Sequence, residues 1–359
     1  MRSRDRFLAL ARGQAIDRLP FVLHWEPWPQ TLTRWKAEGM RGDDDWHSLF
    51  GFDPYFQILD VQLGIHPKFE STLLRDEGDA VVFRDEHGVI KRDWKRSMSM
   101  PQFLEFPVTD WKSWEEHKAR FNPDSPGRFP NDWKRRAKEA EDSESLAGIS
   151  LYPYGFCGGA RTMMGAEAYL LACALEPELI DDINRTLFHL WKVLWSRIFE
   201  EVRVDHVFMW EDMAGKQGSL ISPAMFRRFL APYYTELCGL ARAHGVAMVS
   251  VDSDGLMHEL TGLFLETGVR IIMPYEVQAG NDVGAMLTAH PGLIAFGGMD
   301  KRCMAGDTSA MDRELGRVRT LLPSRRFVPY PDHLIPADVS WTNYQYFVWR
   351  WKELIGKKA

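Results

Sequence analysis

The stretch VAMVSVDSDG, residues 246–255, gives the first indication of the fold. Its first six residues are apolar apart from one serine, a pattern typical of a strand that is covered on both faces in a parallel sheet. Two carboxylates, Asp252 and Asp254, follow this run at once. The stretch therefore predicts a buried parallel strand with an acidic pair at its carboxyl end.

Similar runs recur along the chain and alternate with helical patterns. They are PFVLHW (20–25), SLAGISLYPY (145–154), HVFMWED (206–212), VRIIMP (269–274), LIAFGG (293–298) and RFVPYP (326–331). Residues 176–202 show a 3.6-residue apolar period, and residues 222–245 predict a helix that is kinked or broken at Pro232. The alternation predicts an α/β fold, most simply a single (β/α)8 TIM-type barrel that spans residues 1–359.

One region departs from this alternation. Residues 67–108 predict a β-hairpin with its turn at Glu86-His87-Gly88, and a polar, proline-rich stretch follows. We predict that residues from about 67 to 135 form an N-terminal insertion in the barrel.

Composition excludes several classes of function. A net charge of −6 argues against a nucleic-acid-binding protein, because phosphate binding requires a basic face. The sequence contains neither an apolar run long enough for a membrane span nor a signal-peptide h-region. The four scattered cysteines suggest neither a disulfide framework nor a zinc ribbon. We expect a cytoplasmic protein that acts on a small-molecule substrate.

Polar side chains follow most of the predicted strands. In a (β/α)8 barrel the carboxyl ends of the strands share one face, so these side chains should converge on a cavity. They are His24, Glu26, Glu211, Asp212, Asp252, Asp254, Tyr275, Glu276, Asp300, Lys301, Asp332 and His333.

Four of these residues predict a metal site: Asp252, Asp254, Glu276 and His333. Carboxylate oxygens with one imidazole suit Zn²⁺, Fe²⁺ or Mn²⁺. Each residue also has a structural alternative. Asp254 could cap a helix that begins near Leu256, Asp252 could pair with an arginine or lysine, and His333 could be an ordinary loop histidine.

Other residues are candidates for proton transfer or substrate binding. Glu211 and Asp212 could act as general acid or base, or could be solvated loop carboxylates. Arg161 could hold a substrate carboxylate, or it could pair with Glu167. The remaining candidates for the pocket wall are His24, Trp25, Glu26, Trp28, Trp210 and Tyr275. No GxGxxG, P-loop, GxSxG or HExxH motif occurs, so nucleotide binding and serine or zincin hydrolysis lack support.

Four segments together resemble the uroporphyrinogen decarboxylase superfamily, over nearly the whole chain. They are RFLALARGQAIDRLPFV (6–22), WEDMAGKQGSLISPAMFRRFLAPYY (210–234), GGMDKR (297–302) and PYPDHLIPADVSWTNYQYFV (329–348). The family fold is a (β/α)8 barrel, in agreement with the strand pattern.

The chain departs from the decarboxylase pattern of that superfamily. Where decarboxylases resemble FMRQAGRYLPEY, this sequence has LHWEPWPQTLTRW (23–35), with His24 and Glu26 in place of basic groups. The decarboxylase aspartate of the FSDIL phrase falls near Tyr55, with Asp60 out of step. A pocket lined by carboxylates would also repel a substrate that carries many carboxylates.

The other branch of the superfamily contains zinc methyltransferases that work with corrinoid proteins. Their HxCG motif has its counterpart in DSDG, with Asp252 at the histidine and Asp254 at the cysteine. Glu276 falls near their loop glutamate and His333 near their later cysteine.

The resemblance therefore implies a metal-dependent methyltransferase that moves a methyl group between a small, O-methylated substrate and a corrinoid (cobalamin). The metal would be Zn²⁺, or alternatively Fe²⁺ or Mn²⁺. The corrinoid would arrive on a partner protein, because the chain has no DxHxxG signature. A carboxy-lyase of the uroporphyrinogen decarboxylase type and a non-catalytic small-molecule or corrinoid-binding module remain alternatives. Barrels of this type often dimerise, so a homodimer is one option, and the sequence does not determine the oligomeric state.

Overall fold

The computed structural model describes residues 1–41, 45–95 and 100–357. Its β-strands, numbered along the chain, are β1 (Phe56–Ile58), β2 (Thr72–Asp76), β3 (Ala80–Arg84), β4 (Ile90–Trp94), β5 (Gln102–Glu105), β6 (Leu146–Ile149), β7 (His206–Trp210), β8 (Ala214–Gly215), β9 (Gly218–Ser219), β10 (Met248–Asp252), β11 (Ile271–Met273), β12 (Ile294–Met299) and β13 (Phe327–Pro331).

Helices connect and cover these strands. They are α1 (Ser3–Ala11), α2 (Pro29–Ala37), α3 (Trp46–Phe50), α4 (Trp111–Lys118), α5 (Trp133–Asp142), α6 (Phe156–Met164), α7 (Ala166–Leu175), α8 (Pro177–Glu201), α9 (Pro223–Phe229), α10 (Ala231–Ala243), α11 (His258–Glu266), α12 (Val283–Ala289), α13 (Thr308–Arg319) and α14 (Trp341–Ile355). Short 3-10 turns cover Ala119–Phe121, Val277–Ala279, Lys301–Ala305 and Leu322–Ser324. None of the helices in the described ranges has the length and apolar character that crossing a membrane requires.

Seven strands form one parallel sheet in the order β1-β6-β7-β10-β11-β12-β13. Rings from strands that are far apart in this order meet inside it. Tyr55, beside β1, lies 6.5 Å from Phe296 of β12, and His24 contacts both Phe208 of β7 and Tyr330 of β13. The sheet is therefore curled around a common interior, which confirms the predicted α/β fold and is consistent with a TIM-like barrel.

The predicted strand at residues 20–25 is wrong, because this extended segment forms no ladder. Asp53 takes both backbone groups of Phe21: its carboxylate accepts the Phe21 N–H at 2.9 Å, and its own N–H donates to the Phe21 carbonyl at 2.7 Å. Downstream, a single bridge joins Pro27 to Ile335 beyond β13. The segment thus lies between β13 and β1 without closing the described sheet by regular hydrogen bonds.

The predicted helices are confirmed, including the break at Pro232. Helix α9 begins after Ser222, whose side chain accepts the Met225 N–H, and it ends before Leu230. Pro232 then lies in the first turn of α10, where its missing N–H costs nothing. Gly245, with φ of 78°, follows the end of that helix in the left-handed conformation.

The predicted hairpin is part of a larger unit, a four-stranded antiparallel sheet in the order β2-β3-β4-β5. Its central turn runs through Gly88, as predicted, with φ of 87°. This unit, called the insertion sheet below, lies in the chain between β1 and β6.

A buried arginine joins the segments on either side of the insertion sheet. Arg128 is 1% exposed and donates to four backbone carbonyls, those of Gln62 and Gly64 before the sheet and of Arg120 and Asn122 after it. Burial lowers the pKa of Arg128 to about 10. The four carbonyls compensate this charge in place of a carboxylate.

A buried ion pair lies at the opposite end of the sheet from the predicted site. Arg4 of α1 and Asp205, which precedes β7, approach to 2.7 Å and are 4% and 2% exposed. The Asp205 carboxylate also accepts the Ala147 N–H at 3.0 Å, at the second residue of β6. The pair fixes α1 across the amino ends of two central strands.

Candidate functional site

The DSDG turn presents Asp252 to the interior of the barrel. Asp252 is the last residue of β10, is 2% exposed, and has an Oδ2 atom without a hydrogen-bond partner among the described residues. Nor does it form an ion pair with any residue in those ranges, so the salt-bridge alternative is wrong. A Cβ atom on Gly255 would lie 2.6 Å from the Ala214 carbonyl, so the close turn requires glycine there.

Three further carboxylates lie near Asp252, and we call Asp212, Asp252, Asp254 and Glu276 the acidic cluster. Burial raises the pKa of Asp252 well above its ordinary value, and the charges of Asp254, Asp212 and Glu276 raise it further. The Oδ1 atom of Asp254 is also buried without a partner. The cluster therefore requires a proton or a cation to compensate its charge.

Asp254 faces an imidazole and does not cap the next helix. Helix α11 begins only at His258, with Met257 at its N-cap and no side-chain cap, so the capping alternative is wrong. The Nε2 atom of His333 lies 3.4 Å from the Asp254 Oδ2. The His333 ring stacks on Trp25 at 5.3 Å, which positions the imidazole beside the cluster.

Glu276 ties the loop after β11 to the DSDG turn. Its Oε2 accepts the Gly255 N–H at 3.0 Å. Asp332, which is 1% exposed, holds the same loop by accepting the Val277 N–H at 2.7 Å, and it accepts the Lys301 N–H at 3.2 Å. Burial raises the pKa of Asp332 to about 6. The sequence placed Asp332 at a strand end but gave no indication of this positioning contact.

Asp212 joins the cluster to an arginine. Arg161 of α6 donates through Nη1 to the Asp212 carbonyl and lies 3.3 Å from its Oδ2, so pairing with Glu167 is wrong. Asp212 has a φ of 44°, in the left-handed region, at the point where the chain leaves β7. Burial raises the pKa of Asp212, while Arg161 opposes the shift and Asp254 adds to it.

Glu211, the neighbour of Asp212, is directed elsewhere. It is 0% exposed, and its carboxylate accepts the N–H groups of Phe156 and Gly158, both at 2.9 Å, and the hydroxyl of Tyr234 at 2.5 Å. Burial raises the pKa of Glu211, and these hydrogen bonds oppose the shift. The carboxylate thus holds the first turn of α6, the helix that carries Arg161, and its described partners lie outside the acidic cluster.

The residues predicted to wall the pocket divide into two groups. His24 lies edge-on to Trp25 at 4.8 Å, and burial together with the nearby His333 lowers the pKa of His24 to about 4. Trp210 lies edge-on to Tyr152 at 4.6 Å near Arg161.

The other three predicted wall residues lie further from the cluster. Glu26 is exposed, 3.5 Å from the Nε2 of His47. Trp28 precedes α2 and donates its backbone N–H to Ile335. Tyr275 is fully buried, with its hydroxyl 2.8 Å from Thr261 Oγ1. The structure thus places these three outside the group around Asp252.

Two tyrosines approach Asp252 that residue patterns alone did not select. The charge of Asp252 contributes to a raised pKa at both Tyr55 and Tyr330, after burial of each ring, and the Tyr55 hydroxyl has no described partner. Tyr55 and His24 also line an open cleft between residues 23–24 and residues 47–58. The available signal was the family resemblance, which placed a decarboxylase aspartate near Tyr55.

The donor atoms of the cluster suit a divalent cation, but their placement is not that of a preformed site. Within residues 1–41, 45–95 and 100–357, no three histidine, cysteine, aspartate or glutamate side chains are arranged to hold a metal ion. Carboxylate oxygens and one imidazole nitrogen nevertheless match the ligand preferences of Zn²⁺, Fe²⁺ and Mn²⁺. The unpartnered oxygens of Asp252 and Asp254 are the atoms that such an ion would satisfy.

Comparison with known proteins establishes the fold and no family. No protein-family model matches the chain, and no curated protein matches its sequence. A methyltransferase from Methanosarcina mazei superposes with a TM-score of 0.60 at 14% identity, over 98% of this chain and 99% of that chain. At this identity the likeness shows a shared fold. Xylanase B from Clostridium stercorarium F9 aligns over 66% of this chain and 88% of its own at 13% identity, but its TM-score of 0.33 supports no argument.

Proposed function

We propose that the chain is a methyltransferase that removes a methyl group from a small O-methylated substrate and passes it to a corrinoid on a partner protein. The observation that carries this proposal is the buried, unpartnered Oδ2 of Asp252 amid three other carboxylates at the carboxyl edge of the sheet. The full-length likeness in fold to a methyltransferase supports the same class of reaction.

The chemistry requires compensation of charge on the leaving oxygen. In transfer of a methyl group from an ether, the carbon–oxygen bond breaks and its electron pair stays on oxygen, while the acceptor nucleophile forms the new bond to carbon. Burial and the neighbouring carboxylates raise the pKa of Asp252, so we assign it as the residue that would hold a proton and donate it from Oδ2 to that oxygen. Asp254, whose side chain is 38% exposed, connects the cluster to solvent for reprotonation.

A divalent cation is the alternative means of compensation. Asp252, Asp254 and His333 would hold it, with Glu276 as a fourth ligand, and the ion would supply Lewis-acid activation of the substrate oxygen. Zn²⁺ is the first choice, with Fe²⁺ and Mn²⁺ as alternatives. The protein's own residues have the same tasks in either case: Arg161 fixes Asp212, Asp332 fixes the Glu276 loop, and Trp25 fixes His333.

Metal content and methyl transfer test the proposal together. Protein purified without chelators is analysed by inductively coupled plasma mass spectrometry, and each variant is assayed for transfer from 4-methoxybenzoate to reduced cobalamin. The variants are Asp252→Ala, His333→Ala and, as a matched control, Asp338→Asn at an exposed carboxylate. We expect the first two variants to lose methyl transfer and the control to retain it.

The outcomes separate the alternatives. Near one metal ion per chain, lost in both Asp252→Ala and His333→Ala, would support the cation; methyl transfer without any bound metal would support Asp252 as the proton donor. Methyl transfer that survives Asp252→Ala would contradict the proposal. Release of carbon dioxide from uroporphyrinogen, without methyl transfer, would overturn it in favour of a carboxy-lyase, and ligand binding without turnover would overturn it in favour of a binding module.

A further inference from the structure

A second recess lies next to the acidic cluster, between β5 of the insertion sheet and α6. Four aromatic rings line it: Phe103 and Phe106 from the insertion, and Tyr152 and Trp210 from the carboxyl ends of β6 and β7. Arg161 is the one charged side chain among the described residues of its lining. We call this recess the aromatic pocket.

The rings of the aromatic pocket contact one another in pairs, and two of them, Phe103 and Tyr152, are 42% and 48% exposed. Phe103 and Phe106 stack at 5.9 Å with an interplanar angle of 11°, and Trp210 meets Tyr152 edge-on. Gly165 permits the position of Phe106, because a Cβ atom there would lie 2.6 Å from the Phe106 ring. A flat ring that enters between these walls would find aromatic contacts on both sides.

Arg161 supplies the polar end of the pocket. Its Nη1 is committed to Asp212, but its Nε is buried without a hydrogen-bond partner among the described residues. The Arg161 side chain is nevertheless 19% exposed where it lines the pocket, and a carboxylate is the acceptor that matches the guanidinium fork. The side chain therefore joins the pocket to the cluster, with Nη1 held by Asp212 and its exposed part facing the recess.

We propose that the aromatic pocket binds a flat aromatic carboxylate, with the carboxylate on Arg161 and the ring between the four aromatic side chains. The proposal rests on the proposed function for its role, since it identifies the O-methylated substrate as an aromatic acid. Binding of such an acid is independent of turnover, so the two proposals fail separately.

Calorimetric titration of the whole chain tests the pocket without any methyl acceptor. The probes are 4-methoxybenzoate, the neutral methoxybenzene and the non-aromatic cyclohexanecarboxylate. In the wild type we expect 4-methoxybenzoate to bind roughly tenfold or more tightly than methoxybenzene, since a charge-assisted hydrogen bond contributes about that factor. It should also bind more tightly than cyclohexanecarboxylate, because the saturated ring makes no aromatic contacts with the pocket walls. This comparison of ligands needs no variant.

Two variants and a control locate the site. Arg161→Gln should weaken the binding of 4-methoxybenzoate roughly 10- to 100-fold and leave the affinity for methoxybenzene nearly unchanged. Phe106→Ala should weaken both aromatic ligands. Arg228→Gln, at an exposed arginine that pairs with Asp181 elsewhere on the surface, should change neither.

Equal affinity for 4-methoxybenzoate and methoxybenzene in the wild type would overturn the proposal that the pocket binds an aromatic carboxylate. A preference for 4-methoxybenzoate that persists in Arg161→Gln would overturn it as well. If the discrimination holds and no methyl transfer occurs, the pocket is supported and the proposed function fails. If methyl transfer proceeds from a non-aromatic ether and no aromatic acid binds, the proposed function holds and the pocket fails.

Discussion

Replacement of Asp252 by asparagine should make the stability of the protein less dependent on pH. Asp252 is 2% exposed, and burial with three neighbouring carboxylates raises its pKa well above the ordinary value. The native state therefore binds this proton more tightly than the unfolded chain does. The carboxyl costs no stability below its unfolded pKa of about 3.9, and stability falls as pH rises from there toward the raised native pKa.

The magnitude follows from one linked proton. Within that window, the free energy of unfolding of the wild type falls by about 1.4 kcal/mol per pH unit on account of Asp252. Between pH 5 and 7 the difference from Asp252→Asn should thus change by at most about 2.7 kcal/mol. Asp212 and Asp332 also have raised pKa values, but they titrate in both proteins, so their contributions largely cancel in the comparison.

Urea denaturation at pH 5, 6, 7 and 8, with a chelator present so that no cation compensates the cluster, measures this difference. Asp252→Asn should gain stability relative to the wild type as pH rises, with an unchanged dependence on urea. Asp338→Asn, an exposed aspartate, is the control and should follow the wild type. If the free energies of unfolding of the wild type and Asp252→Asn depend on pH in parallel, the reasoning that burial raises the pKa of Asp252 is refuted.

Three other substitutions test the framework around the site. Arg4→Met should lower the free energy of unfolding by at most about 3–5 kcal/mol in urea, because it removes the buried partner of Asp205 and leaves the exposed Arg203, 3.4 Å away, as its described countercharge, and Asp205→Leu added to it should restore much of the loss; an unchanged single variant would contradict this. Gly158→Ala should cost at least about 1–3 kcal/mol and weaken aromatic-acid binding, since the added Cβ would lie 2.2 Å from the Trp210 carbonyl oxygen and 2.5 Å from the Trp210 ring, and unaltered calorimetric affinity would argue against that packing. Arg128→Met should remove one donor from each of four carbonyls, leaving those of Gln62 and Gly64 with no other donor among the described residues, and make the insertion more sensitive to limited proteolysis; wild-type cleavage rates would show that the contacts of Arg128 are dispensable.

Much of the fold was predictable because local patterns specify it. Apolar runs such as VAMVSV favour strands covered on both faces, and Pro232 interrupts a helix whatever the tertiary context. Residues 20–25 have the same apolar pattern as the strands, yet they form none. Asp53, thirty-two residues after Phe21, hydrogen-bonds both the N–H and the carbonyl of Phe21, which are then unable to pair with a neighbouring strand. The local sequence around Phe21 gives no indication of this distant partner.

The site was predictable in its position and less so in the orientation of its side chains. Asp252 and Asp254 face the cluster, as expected of strand-end residues. Glu211 and Asp212 are adjacent in the sequence, but the left-handed backbone at Asp212 turns its side chain toward Arg161 while Glu211 supports α6. Which of two neighbouring carboxylates reaches a site depends on that one dihedral angle, and composition and spacing do not specify it.

The two walls of the aromatic pocket belong to separately encoded parts of the chain. Phe103 and Phe106 come from the insertion sheet, whereas Arg161 and the acidic cluster belong to the barrel. If the pocket binds an aromatic acid as proposed, changes in the insertion alone would alter the shape of the accepted ring without disturbing the acidic cluster. The insertion would then be the part of the chain to exchange in order to change substrate selectivity.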